Sequence, residues 1–354
     1  MAGKVQTYAF INAKLRARIS NLLPEDFYRS LGKAHSFIEA MNLFHDTPYA
    51  ELEAVYSRTG DLKMCELALF KREVEIFLEV ENYVTGGPLG FVKALTTRYE
   101  TEALKNVLRL WFERSQRGRN IESKVGYLFR EQIHFQIPYD ELLNARDMGE
   151  LAEILGKTPY ADLIREHQAE VEERRTLFPL EIAIDRYFYR QLLSAATKLE
   201  RQDEEIARRL VGVQVDLENV NWVVRFKVYY ELTADQAASY LLPRGRVLDP
   251  AAVRNAYTAE DPAGSLAQIL STHYGGASIS PETTGGQTAR LDLIEGLLQE
   301  ILAHEVHRIL GSYPFSIGII LAYFLLKQQE LHRIVTLLNA SYYGLSTERM
   351  EHFI

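Results

Sequence analysis

The sequence predicts an all-α protein, and three observations carry that prediction. Apolar residues recur at i, i+3, i+4 and i+7, as in Leu104, Val107, Leu108 and Trp111, the spacing that buries one stripe of a helix. The strict alternation of a half-buried strand is scarce along the chain. Landmark residues return at an interval near 115 positions, which points to one helical unit used three times.

The elements follow from these signals in chain order. Apolar residues stand before proline at Leu23-Pro24, Ile137-Pro138 and Leu242-Pro243, and each step reads as a helix boundary because proline disfavours helix in the residue before it. A long helix runs from Gly60 up to the breaker Gly86-Gly87-Pro88. Long apolar faces with charged opposite faces continue through residues 179–216 and 288–330. Loops fall where Gly, Pro, Ser and Thr cluster, from Arg244 to Pro250 and from Tyr274 to Gln287.

Two sets of echoes mark the repeat. Thr47-Pro48-Tyr49-Ala50 returns as Thr158-Pro159-Tyr160-Ala161 at an offset of 111 residues, and Thr272-His273-Tyr274 follows 114 residues later. Segments 100–109, 216–225 and 330–339 align without gaps, each opening on an acid. Leu331, Ile334, Val335 and Leu338 repeat the stripe of the first segment, and Leu217, Val220 and Val224 share a face in the second. Glu100, Asp216 and Glu330 are expected at helix starts, where a negative charge complements the macrodipole. The units are assigned to 1–120, 121–238 and 239–354, with no long linker between them.

Composition narrows the function. A chain of 354 residues with 47% hydrophobic content can bury a large core. The formal charge of -8, with acids and bases mixed, leaves no basic footprint for nucleic acid and no polybasic membrane anchor. A single cysteine, Cys65, excludes an internal disulfide framework. The first residues lack the apolar core of a signal peptide. The longest apolar run, Phe315 to Leu326, is about twelve residues against the roughly twenty that span a bilayer, so it reads as a buried helix.

Motifs for chemistry fail on spacing. Gly156-Lys157-Thr158 spells the end of a phosphate-binding loop, but Leu151 stands where the motif needs its leading glycine, and no buried strand precedes it. His304 and His307 are three apart, whereas the zinc-protease pattern needs four with a glutamate beside the first; they read as helix-surface residues. No G-x-S-x-G elbow is present. The locally basic segment 111–124 carries acids and reads as a solvated helix end. Arg16, Arg109 and Arg225 close apolar helical segments, with Asn12 and Asn221 four residues before two of them. In a repeated body such arginines can meet an acidic or polar partner, or satisfy helix C-terminal carbonyls.

Three stretches carry a family resemblance: residues 8–31 (YAFINAKLRARISNLLPEDFYRSL), 215–230 (VDLENVNWVVRFKVYY) and 313–345 (YPFSIGIILAYFLLKQQELHRIVTLLNASYYGL). The chain resembles the C subunit of the V-type or A-type rotary ATPases, whose eukaryotic counterpart is the d subunit, over essentially its whole length. At the third position aligned with Arg109 and Arg225 it carries Asn339. The resemblance implies a funnel-shaped, pseudo-threefold body of three helical units. It implies no catalytic residue, cofactor or small-molecule substrate. It implies a peripheral rotor part on the cytoplasmic face of the membrane, set between the proteolipid ring and the D and F subunits of the central stalk, that passes torque between ATP turnover and proton or sodium transport. The other reading of an all-helical repeat is a scaffold for a soluble protein complex.

Overall fold

The computed structural model describes residues 2–230, 232–274 and 287–345, and among them the regular structure is helical, with no strand. In chain order the helices are α1 (Ala2–Ile19), α2 (Glu25–Lys33), α3 (Phe37–Asn42), α4 (Glu51–Thr59), α5 (Leu62–Glu81), α6 (Gly86–Ser115), α7 (Glu122–Val125), α8 (Tyr139–Asn144), α9 (Met148–Ile154) and α10 (Tyr160–Arg174). There follow α11 (Phe178–Ala196), α12 (Arg201–Tyr229), α13 (Ala234–Ser239), α14 (Pro250–Thr258), α15 (Pro262–Tyr274), α16 (Gln287–Leu310) and α17 (Gly318–Tyr342). The all-α expectation holds. The chain divides into two compact units, residues 1–168 with 322–354, and residues 169–321.

Local chemistry sets the boundaries. Pro24 and Pro138 occupy the N-cap positions of α2 and α8, as the proline steps predict. Gly60, at φ 64°, ends α4 in the left-handed region that glycine enters without steric cost. Asp61 then caps α5 by accepting from the Lys63 amide. Thr233 and Gln236 form a reciprocal capping box on α13. Asp249 caps α14, with Pro250 in its first turn, where a missing N–H costs nothing. The loop expected from Arg244 to Pro250 lies between α13 and α14. The loop expected from Tyr274 to Gln287 falls outside the described residues, between the end of α15 and the start of α16.

The apolar stripes are buried as their spacing requires. Leu104, Val107, Leu108 and Trp111 of α6 have no exposed surface, and the Trp111 indole N–H donates to the Ala145 carbonyl at 2.9 Å. In the first unit, Leu331, Ile334, Leu337 and Leu338 of α17 pack among Tyr28, Leu31, Phe44, Tyr49, Leu52, Cys65 and Leu69. The stripe at one end of the sequence thus finds its partner at the other. In the second unit, Val213, Leu217, Val220, Val223 and Phe226 of α12 pack with Phe178, Val253, Tyr257, Leu266, Leu270 and Ile301. The apolar run after Phe315 is buried from Ile317 through Leu325. No helix among the described residues is long and apolar enough to cross a membrane.

One expectation is corrected. Glu100, Asp216 and Glu330 do not start helices; they lie deep inside α6, α12 and α17. All three are buried, at 0%, 0% and 4% exposure. A macrodipole role acts only in the first turn of a helix, so these acids have other partners.

Candidate functional site

Those partners are the tyrosines of the other echo. Tyr160 donates its phenolic hydrogen to Glu100 Oε1 at 2.7 Å, Tyr274 donates to Asp216 Oδ2 at 2.5 Å, and Tyr49 donates to Glu330 Oε2. Backbone amides complete each carboxylate. Glu100 Oε2 accepts from the His134 and Phe135 N–H groups at 2.8 and 2.7 Å. Asp216 accepts from Arg246, Val247 and Leu248 at 2.9–3.0 Å. Glu330 Oε1 accepts from Leu23 N–H at 2.8 Å. Each set of donors flanks an apolar-proline step, so three features that repeat separately in the sequence meet at one kind of joint. A buried carboxylate is tolerated when its lone pairs are filled, and each acid fixes a loop and a tyrosine segment to a long helix.

The copies differ in ways that follow from their residues. In the first two, the Thr47 and Thr158 hydroxyls donate to the Phe44 and Leu155 carbonyls at 2.7 and 2.8 Å and accept from the Tyr49 and Tyr160 amides. The intervening Pro48 and Pro159 have no N–H to continue a helix, so a turn forms. His273 has one, and Thr272 lies within α15, donating to Gln268 one turn back at 2.7 Å. Gly245 lies against Asp216: a β-carbon there would sit 2.2 Å from Oδ1. Burial pushes the Asp216 carboxyl above its ordinary value, against the pull of its four donors. Burial also raises the Tyr49 and Tyr274 phenols, so these hydroxyls stay protonated as donors. At the third joint the Lys327 ammonium sits 2.7 Å from Glu330 Oε2 and 4.6 Å from the Tyr49 ring centroid.

The three predicted contact arginines lie elsewhere. Arg16 is exposed in the last turn of α1 and donates to Asn12 Oδ1 at 3.1 Å. Arg109 is exposed on α6 and donates to Asn106 Oδ1 at 3.1 Å. Arg225 is exposed on α12, its guanidinium 5.7 Å from the Trp222 ring centroid. Asn339, at the third aligned position, donates to Glu66 Oε1 at 2.6 Å. Lys157 is exposed in the turn between α9 and α10, flanked by helices on both sides. His304 and His307 are exposed on α16, while Glu305 between them is buried and paired bidentately with Arg209 at 2.9 and 2.6 Å. Among the described residues no group of His, Cys, Asp and Glu is placed to hold a metal. The buried acids and their tyrosines form an arrangement that the reading of these acids as helix starts missed. Their common interval was the available signal, since an acid and a tyrosine that keep one period are candidates for one contact.

The sequence matches the family profile described as ATP synthase (C/AC39) subunit over residues 11–353. It is 23% identical over 327 residues to the A-type ATP synthase C subunit of Methanosphaera stadtmanae, covering 92% of this chain and 82% of that one. Against the A-type ATP synthase C subunit of Halorubrum lacusprofundi it is 24% identical over 349 residues, 97% of this chain and 95% of that one. The V-type ATP synthase C subunit of Thermus thermophilus is 25% identical over 348 residues, 97% of each chain.

Proposed function

From a chain that belongs to the ATP synthase (C/AC39) subunit family, we propose the function of a non-catalytic rotor subunit that joins the central stalk to the membrane proteolipid ring. Its partners in this reading are that ring and the D and F subunits of the stalk, and its place is the cytoplasmic face of the membrane. The observation that carries the reading is family membership across nearly the whole length. The three carboxylate joints support it physically. A part that passes torque must not absorb it in local bending, and hydrogen-bonded carboxylates that tie loops to long helices stiffen a packed interior. The recurrence of the joint in three copies supports a threefold repeat, which this reading assigns to units at 1–120, 121–238 and 239–354, each joint tying one unit to another, in a funnel-shaped, pseudo-threefold body.

Arg16, Arg109 and Arg225 are the proposed contacts to polar or acidic groups of the partners. All are exposed. The test is assembly of a rotary complex with and without the chain. With it, stalk and proteolipid ring co-purify; without it, they separate, and the isolated chain hydrolyses no ATP. Replacing the three arginines by Gln should weaken association and flatten its dependence on salt, because exposed charges act through a screened field. Co-purification of stalk and ring in the absence of the chain would reject the proposal.

A further inference from the structure

We infer that the chain is closed on itself by its third carboxylate joint, which fastens the last long helix to the first tyrosine turn, and that Lys327 reinforces this end-to-end closure. Glu100 takes a tyrosine 60 residues downstream, and Asp216 takes one 58 residues downstream. Glu330 has its partners upstream instead, Tyr49 at 281 residues and Leu23 at 307. The long helix that precedes Tyr49 is α1, whose sequence contains no acid. The last acid therefore supplies what the first tyrosine lacks, and the series of joints ends where it began. Two independent observations agree. Residues 322–354 form a compact unit with residues 1–168, and the apolar stripe of α17 fills the core built from α2 to α5.

Closure across the ends is the least probable joint in an unfolded chain. Loop-closure probability falls as about the 3/2 power of length, so a 281-residue separation is about tenfold less favourable than one of 60. A cation bonded to the acid itself is found at this joint, whereas at the second joint the Arg246 guanidinium stands 5.6 Å from the Tyr274 ring centroid. Three residues before the acid, α6 carries Thr97 and α12 carries Val213, whereas α17 carries Lys327, 8% exposed at its side chain. Charge-assisted hydrogen bonds are roughly twice as strong as neutral ones. A second clasp lies one turn on, where Arg333 donates two hydrogen bonds of 2.7 Å to Glu25 and stacks 3.7 Å from the Tyr28 ring centroid.

Hydrogen–deuterium exchange of the full chain tests the closure. Tyr49→Phe and Lys327→Met should each raise exchange at least about fivefold, the factor matching one lost buried hydrogen bond, in α17 and residues 25–69 together. Residues 201–274 should keep wild-type rates. Tyr274→Phe should do the reverse, loosening α12 and residues 234–274 and sparing α17. Should the buried substitutions prevent folding, Arg333→Gln at the partly exposed clasp must give the same paired response at smaller amplitude. Faster exchange in α17 without residues 25–69, or no response to Lys327→Met, overturns the inference.

Discussion

Cys65 shows how a single residue reports the state of the core. Its side chain is fully buried, with Sγ 3.8 Å from the Leu52 carbonyl, and burial pushes the thiol up to about 11. The reactive thiolate is then scarce near neutral pH. Added dithionitrobenzoate at pH 8 should react slowly with the native chain and should titrate one equivalent in urea, since the sequence holds one cysteine; rapid native reaction would mean the first core opens readily. Glu79 reports on the joint of α1 and α5. Hydrogen bonds from Lys14 and Tyr83, with Arg18, hold its carboxyl down to about 2. Its folded value is below its unfolded value, so its contribution is fully present above the ordinary carboxylate range and is lost as pH falls toward 2. Urea midpoints measured from pH 6 to pH 2.5 should show wild type and Glu79→Gln converging as the pH drops. A constant difference across that range would mean that the charge of Glu79 adds nothing to stability.

At the scale of elements, what the sequence showed and what it hid have one physical explanation. Apolar periodicity is a local property, so the stripe of Leu104, Val107, Leu108 and Trp111 and the boundaries at Pro24 and Gly60 were legible. The acids were not, because a carboxylate inside a helix and one at its start look alike until the partner is known. That partner is a tyrosine 60 residues away for Glu100 and at the far end of the chain for Glu330. The tyrosine echo was visible, but its meaning required the fold. The joint predicts a measurable coupling. Tyr160→Phe leaves Glu100 buried with one donor fewer, and Glu100→Gln points an amide N–H₂ either at the Tyr160 hydroxyl or at the His134 and Phe135 amides. Each change should cost about 1–3 kcal/mol in urea unfolding. Because they strip the same contact, the double variant should lose about 0.5 kcal/mol or more less than additivity predicts. Strict additivity would show that the two groups do not share a bond in solution.

For the whole molecule, the decisive feature is that the first unit is discontinuous in sequence. Residues 25–69 supply one wall of its core, and Leu331, Ile334, Leu337 and Leu338 supply the other, with exposures of 6%, 0%, 0% and 0%. Truncating one buried leucine to alanine costs about 2–5 kcal/mol, so Leu338→Ala in the full chain should lower stability by that amount and still fold. Removing the helix forfeits four such residues together with the Glu330 joint. That loss, about 8–20 kcal/mol for the four residues alone, is of the same size as the roughly 5–15 kcal/mol by which native domains are stable. A chain ended at residue 321 keeps α1 to α9 and the whole second unit in sequence, yet residues 25–69 should become sensitive to limited proteolysis under conditions in which the full chain resists. The second core, built on α11 to α16, has no residue from α17 among the described residues, so residues 201–274 should keep their resistance. Protection of residues 25–69 in the shortened chain would show that the N-terminal segment holds its fold without the last helix.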